Sequence, residues 1–218
     1  MLLSHRYNFL FVHIAKTGGT SVRAALNTLR WRDPMYYLVW PAHKLSGLCG
    51  HRLGLKFPRH AHIIAAREML PEDFFKSLFK FAFVRNPWDL QVSSFHHIKR
   101  ERPQVMEGIS DFNEFMRWKF NSRRPWQYHI DTSLSLQSDY LVDLHGNKLV
   151  DFVGRYENLQ EDFSEVCKKI GVTLQLPHKR QAMDRKSDYR SYFDDHSIEL
   201  VAQHFAKDIS LLNYHFDP

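Results

Sequence analysis

Cysteine is scarce in this chain. Among its 218 residues only Cys49 and Cys167 occur, and no CxxC pair is present. A disulfide framework and a cysteine-ligated zinc site both need more cysteines at closer spacing, so neither is encoded. This composition favours a reducing compartment, and we expect no bound metal.

Long hydrophobic runs are also missing. No apolar run approaches the roughly 18 residues of a membrane-spanning helix, and the N-terminus lacks the basic start and long apolar core of a secretory signal. No repeat, low-complexity tract or Gly/Ser-rich linker divides the chain. At this length we predict a single domain over residues 1–218, in the cytoplasm and without membrane contact.

Negative charge is in deficit. The formal net charge is +6 with histidine neutral, and the sequence pI is about 9.3. An excess of this size favours an anionic partner, such as nucleic acid, an acidic polysaccharide or a polyphosphorylated cofactor. The sign of the charge alone does not choose among these partners.

The standard nucleoside-triphosphate P-loop is absent, because the glycines of the first candidate loop follow its lysine instead of preceding it. An apolar run begins at Phe9, and a helical pattern follows from Val22. Strand and helix are joined by Lys16, Thr17, Gly18, Gly19, Thr20 and Ser21. Backbone N–H groups at a helix N-terminus, a mobile cation and hydroxyl donors suit a phosphate-like anion, although a tight structural turn is the alternative.

A second apolar run, residues 78–84, stops at Arg85. Asn86 can cap a following helix, and Pro87 suits its first position. Repetition of strand, turn and helix predicts an α/β fold whose central, mainly parallel sheet is flanked by helices. In such a fold ligands bind beyond the carboxyl ends of the strands, where the two loops meet.

Three further elements complete the prediction. Residues 36–40 form a β-prone run, with an irregular loop after it over residues 41–59. A helical pattern over residues 61–76 is broken at Pro71, and a final amphipathic helix covers about residues 198–212.

Four stretches together resemble the sulfotransferases, in particular the carbohydrate group known as the sulfotransferase family 2 domain. Residues 13–21 resemble that family's 5′-phosphosulfate loop, and residues 81–89 with Ser93 resemble its 3′-phosphate site. Residues 153–159 and the segments 188–193 and 213–214 are similar to its later landmarks. The stretches follow in the family's order and cover nearly the whole chain, while Leu90 and Phe95 depart from the usual basic and Tyr residues.

The resemblance implies a P-loop-like three-layer fold and transfer of a sulfuryl group from 3′-phosphoadenosine 5′-phosphosulfate (PAPS) to a hydroxyl or amine, with a carbohydrate as the expected acceptor. Lys16 would stabilise charge on the leaving phosphate, and the loop around it would bind the same end of PAPS. Arg85 and Ser93 would hold the 3′-phosphate. The loop expected to close over the cofactor contains Arg185, Lys186 and Ser187. A sulfuryl group carries less charge than a phosphoryl group, so no metal is required.

The acceptor needs a base, and histidine suits this task near neutral pH. His60 and His62 precede Arg85 by about the same interval as the catalytic histidine pair of the related heparan sulfate 2-O-sulfotransferases. Because the chain contains 14 histidines, a structural or surface role is the alternative for each. His51 and Glu68 are further candidates.

Two other functions compete with this assignment. A P-loop kinase for a small molecule would need the missing glycine order and a Mg-binding aspartate, for which Asp89 and Asp151 are the candidates. A non-catalytic polyanion-binding protein is suggested by the pI alone. We expect PAPS and a glycan or other hydroxylated molecule, and not nucleic acid, as partners. The expected acceptor surfaces are the basic residues 44–59 and the aromatic and basic residues 100–128.

Overall fold

The computed structural model describes residues 1–49, 56–177 and 186–217. These residues form two compact units. Unit 1 consists of Met1–Ile14, Gly18–Val84 and Tyr140–His178, and unit 2 of Ala15–Thr17, Arg85–Asp139 and Lys179–Pro218. A single domain over residues 1–218 stays a prediction.

Unit 1 contains a four-stranded sheet. Its strands, in spatial order, are β1 (Leu2–Ser4), β2 (Phe9–Val12), β3 (Phe79–Val84) and β4 (Phe152–Arg155). The edge strand β1 is antiparallel to β2, whereas β3 is parallel to both β2 and β4. The predicted α/β fold with a mainly parallel sheet flanked by helices is therefore confirmed.

Helices were predicted from Val22, after Arg85, over residues 61–76 and over about residues 198–212, and each of these regions contains helix. Those within the described residues are α1 (Gly19–Asn27), α2 (Pro34–Cys49), α3 (Ile63–Met69), α4 (Glu72–Ser77), α5 (Pro87–Glu101), α6 (Phe112–Lys119), α7 (Tyr128–Asp131), α8 (Leu159–Lys169), α9 (Asp195–His204) and α10 (Ala206–Leu212). No helix in these parts of the chain is long and apolar enough to cross a lipid bilayer.

One face of the sheet carries the core of unit 1. Successive side chains of a strand point to opposite faces, so Phe9 and Phe11 of β2 share a face with Phe81 and Phe83 of β3. The rings of Phe11 and Phe81 stack with centroids 5.3 Å apart. Helices α1 and α8 cover them with Val22, Ala25, Leu26, Phe163, Val166 and Cys167. Each such aromatic side chain contributes roughly 1.5–3 kcal/mol when buried.

Unit 2 has its own core, formed by α5, α6 and α9. Phe95, Phe112, Phe115, Val201 and Phe205 are among its buried members. These residues come from separate parts of the chain, so the core holds α5 against the C-terminal helices.

The start of α5 was predicted correctly. The side chain of Asn86 accepts a hydrogen bond from Trp88 N at 3.0 Å, and Pro87 occupies the first helical position. This cap satisfies a backbone N–H group that the helix itself leaves without a partner.

The prediction of a strand over residues 36–40 was wrong, as was the loop over residues 41–49, because both lie in α2. Residues 50–55 of that loop lie outside the described residues. A short aromatic run is compatible with the periodicity of a strand and with that of a helix. Pro41 within α2 removes one backbone hydrogen bond without ending the helix. The single C-terminal helix is divided into α9 and α10 at Phe205.

Substitution of Gly154 by alanine should destabilise the sheet. A Cβ at this position of β4 would lie 2.6 Å from Cε1 of Phe83 and 3.1 Å from Cβ of Asp162. Overpacking of this kind costs about 1–3 kcal/mol. We expect a lower free energy of unfolding, measured by urea denaturation followed by circular dichroism.

Gly47→Ala is the matched control. Gly47 lies within α2, and nothing in the described chain is within 4 Å of an added Cβ. Alanine there should raise the free energy of unfolding by about 0.5–1 kcal/mol through helix propensity. Equal effects of the two substitutions would contradict the packing explanation.

Candidate functional site

The first candidate loop lies between Val12, the last residue of β2, and Gly19, the first of α1. Lys16 has φ 66° and Gly18 has φ 77°, so the chain passes twice through the left-handed region. Gly18 O accepts the first hydrogen bond of α1, from Ser21 N at 2.9 Å. The N-cap residue Gly18 has no side chain that could cap this helix. The first N–H groups of a helix have no partner within it, and such groups suit an anion.

Both glycines of this loop also have a packing role in unit 1. A Cβ on Gly18 would lie 2.7 Å from Cδ2 of Leu159, and a Cβ on Gly19 would overlap the imidazole of His13. The pair therefore permits close approach of neighbouring side chains, in addition to any approach by a ligand. Thr17 is buried, whereas Thr20 is exposed and Ser21 half-buried.

The second candidate loop begins with a buried cation in unit 2. Arg85 is only 2% exposed. Its Nε donates to Oδ2 of Asp89 at 2.8 Å, and its Nη1 donates to the carbonyl oxygen of Lys16 at 3.0 Å. The structure thus brings together Lys16 and Arg85, which the sequence placed 69 positions apart.

Gln137 holds the backbone of Arg85, and sequence reasoning missed it. Its Oε1 accepts from Arg85 N, and its Nε2 donates to Arg85 O, both at 2.8 Å. Gln137 is fully buried. No pattern around this glutamine distinguishes it in the sequence, because the partner is 52 residues away.

Ser93 lies on α5, half-buried. Asp89, Ser93 and His97 follow one another at a spacing of four residues, so they occupy one side of the helix that begins after Arg85. Arg85 and Ser93, the two residues predicted to bind a 3′-phosphate, therefore belong to one continuous stretch of unit 2.

His97 extends this row and was not a sequence candidate. Its ring contacts that of His129, with centroids 5.9 Å apart. Burial and then the charge of Lys16 lower the pKa of His97 to about 4. The imidazole is therefore neutral at physiological pH and lies within the electric field of the loop lysine.

His60, the first candidate base, pairs with His13 in unit 1. Its Nδ1 lies 2.9 Å from the carbonyl oxygen of His13, and the two rings meet edge to face at 4.7 Å. Because a carbonyl only accepts, Nδ1 carries the proton and Nε2 is the basic nitrogen. Burial lowers the pKa of His60, the hydrogen bond opposes this shift, and the charge of Arg59 reinforces it.

His13 is a buried, neutral partner. Burial and then the charge of His60 lower its pKa to about 2. Its Nδ1 has no hydrogen-bond partner among the described residues. Its position beside Gly19 links the histidine pair to the first turn of α1 within unit 1.

The other candidate bases differ in setting. His62 is the N-cap residue of α3, and its ring packs on Tyr140 with centroids 4.2 Å apart. Glu68 is exposed and forms an ion pair with Arg67 at 3.1 Å. His51 lies outside the described residues. In residues 1–49, 56–177 and 186–217 no group of three His, Cys, Asp or Glu side chains could hold a metal ion.

The predicted closing loop is described only in part, since Arg185 lies outside the described residues. Lys186 and Ser187 are both exposed. Lys186 N donates to the hydroxyl of Tyr192 at 2.8 Å, and the Lys186 ammonium lies 5.3 Å from the centre of that ring. The hydroxyl of Tyr192 also contacts Nε2 of His96 on α5, at 2.8 Å.

Comparison with known proteins gives a family and one relative. A family model described as "Sulfotransferase family" matches residues 1–215. An uncharacterized protein from Archaeoglobus fulgidus is 33% identical over 112 residues, which are 50% of this chain and 82% of the archaeal protein.

We expect His13 and His97 to stay neutral well below pH 6.5, where an unperturbed histidine titrates. Their folded pKa values of about 2 and about 4 lie below the unfolded value. The unfolded state therefore binds more protons in this range, and the free energy of unfolding falls as the pH drops below 6.5. Imidazole resonances from 15N NMR would check the first point and urea denaturation the second.

The control for this prediction is His97→Gln. It should reduce the slope of stability against pH between pH 6.5 and 4.5, because one group with a lowered pKa is removed. Titration of His97 with a midpoint near 6.5 would show that burial and the charge of Lys16 do not lower its pKa, and would contradict this assignment.

Proposed function

The chain belongs to the sulfotransferase family, and from that premise we propose that it transfers a sulfuryl group from PAPS to an acceptor hydroxyl or amine, with a carbohydrate as the acceptor. The family match also confirms the P-loop-like fold. One observation carries the proposal. Within unit 2 the carbonyl of Lys16 accepts a hydrogen bond from the Arg85 side chain, so the residues assigned to opposite ends of PAPS are in direct contact.

The residues present fit a cofactor with two anionic ends. At the 5′ side we assign Lys16, Thr17, Gly18, Gly19, Thr20 and Ser21, which supply an ammonium, backbone N–H groups and hydroxyls. A glycine at the N-cap of α1, which cannot cap the first turn with a side chain, supports this assignment. At the 3′ side we assign Arg85 and Ser93, with Lys186 and Ser187 as additional ligands from the closing segment and Arg185 on resemblance alone.

The burial of Arg85 refines its role. Its Nε and Nη1 contact Asp89 and Lys16, so the protein itself fixes the orientation of this guanidinium. Asp89 fixes the plane of the guanidinium and compensates its charge while no anion is bound. We infer that Arg85 both orients the first loop and recognises the 3′-phosphate.

PAPS supplies the sulfuryl group to the reaction. Lys16 stabilises the negative charge that develops on the phosphate oxygen when the S–O bond breaks. His60 accepts the acceptor's proton on Nε2, since Nδ1 is held by the His13 carbonyl. His62 is the second candidate base, but its contact with Tyr140 favours a packing role.

An exposed aromatic surface supports a carbohydrate acceptor. Trp126 is 71% exposed and Tyr128 47% exposed. Ring contacts lead from Trp126 to Tyr128, His129 and His97, with centroids between 5.3 and 6.3 Å apart. Flat aromatic faces suit the C–H faces of sugars. This series of rings ends at His97, on which the charge of Lys16 acts. We therefore expect the acceptor to bind along these rings.

Substitution of Lys16 by asparagine tests the donor site. Asparagine tolerates left-handed backbone, so the change removes the charge without new strain. We expect turnover to fall roughly 100- to 1000-fold, as for one lost donor at developing charge. The assay is transfer of 35S from PAPS to a panel of neutral and acidic glycans.

Lys169→Asn, which removes an exposed lysine of α8, is the control and should leave turnover unchanged. Near-wild-type transfer by Lys16→Asn would overturn the role of Lys16. Turnover of ATP with Mg²⁺, and none of PAPS, would support the kinase alternative.

Substitution of His60 by alanine tests the base. Loss of general-base catalysis lowers the rate roughly 100- to 10,000-fold, whereas affinity for the product 3′,5′-ADP, measured by calorimetry, should be unchanged. His62→Ala is the matched control and should lower turnover far less. An equal loss in both variants would contradict the assignment, and a collapse of 3′,5′-ADP affinity in His60→Ala would make His60 a cofactor or structural residue.

A further inference from the structure

Unit 1 contains a cavity of about 320 Å³ between β1, α1 and α2. Its apolar wall includes Leu2, Leu26, Leu29, Val39 and Phe57. The volume is at the lower end of the range for small-molecule sites. None of the residues that we assign to PAPS lines it.

Helix α2 presents an apolar stripe to this cavity. Tyr36, Val39, Trp40 and His43 all line it, and their spacing places them on one side of a helix. A helix with so apolar a sequence normally buries one stripe, yet none of the residues of α2 is buried. The stripe therefore faces space that an apolar molecule can fill.

The charges around the cavity favour an anion. Arg23, Arg30 and Lys56 line it, and residues 34–67 contain no aspartate or glutamate. The guanidinium of Arg30 lies over the ring of Tyr36 at 4.4 Å, so a positive charge is held at the apolar stripe itself.

Asp33 is the acidic residue of the lining, and its carboxylate is already satisfied by this chain. It accepts hydrogen bonds from Ser4 Oγ at 2.8 Å, His5 N at 2.9 Å, Arg6 N at 3.2 Å and Met35 N at 3.1 Å. These four donors stabilise the negative charge of Asp33 within the protein. Among the described residues Asp33 forms no ion pair with Arg23, Arg30 or Lys56, and Arg23 donates to the carbonyl oxygen of Met1 at 3.0 Å.

We propose that this cavity binds a small aliphatic carboxylate, with the hydrocarbon chain against α2 and the carboxylate beside Arg30. The volume, at the lower end of the range for small-molecule sites, suits a ligand as small as octanoate. Burial of the chain provides the free energy of binding, and the arginine provides selectivity for an anion. The proposal does not rest on the proposed sulfuryl transfer.

The probe is octanoate, titrated into the protein without PAPS and followed by calorimetry and by the fluorescence of Trp40 and the other tryptophans. We expect one site, with octan-1-ol binding at least about tenfold more weakly because it cannot pair with the guanidinium. Equal binding of acid and alcohol, or no binding of octanoate, would overturn the proposal.

Val39→Trp fills the cavity and should abolish octanoate binding, whereas Leu38→Trp should not, because Leu38 is 66% exposed and does not line the cavity. If Val39→Trp fails to fold, Arg30→Gln replaces it, with its neighbour Arg32→Gln as the control. Arg30→Gln should weaken octanoate binding about tenfold and leave octan-1-ol unchanged. Wild-type affinity for octanoate in Val39→Trp or in Arg30→Gln would contradict the proposed site. Sulfuryl transfer is assayed separately, so that outcome would leave the proposed function unaffected.

Discussion

The organisation of unit 2 depends on one buried guanidinium. A charge removed from water must be paired and hydrogen-bonded, and Arg85 meets this requirement through Asp89 and the carbonyl of Lys16. Gln137 fixes the backbone at the same point. Once these contacts form, the loop that carries the Lys16 ammonium has little freedom to move away from the start of α5.

The parts of this arrangement that follow from local rules were predictable. The apolar runs that end at Val12 and Val84 are strands, and Asn86 with Pro87 begins α5. Contact between the loops could also be expected, because β2 and β3 are parallel neighbours whose carboxyl ends lie at the same edge of the sheet. Each of these inferences needs only periodicity, capping or strand order.

The parts that were missed depend on tertiary contacts. Residues 36–40 have high β-propensity, and only their position in α2 shows that they form a helical stripe. His13 acquires its role from Gly19 and His60, and Gln137 from Arg85. The pKa of His97 is lowered by burial and then by the charge of Lys16. No local pattern marks such residues, because their partners are distant in the chain.

The backbone of Lys16 has a consequence for evolution and engineering. A residue with a Cβ at φ 66° costs about 1–2 kcal/mol relative to glycine, which adopts this conformation readily. Selection for heat resistance alone would therefore accept glycine at position 16 and discard the ammonium group. A thermostabilised variant obtained by such selection would lose the cation that we assign to PAPS, so stability and activity conflict at this position.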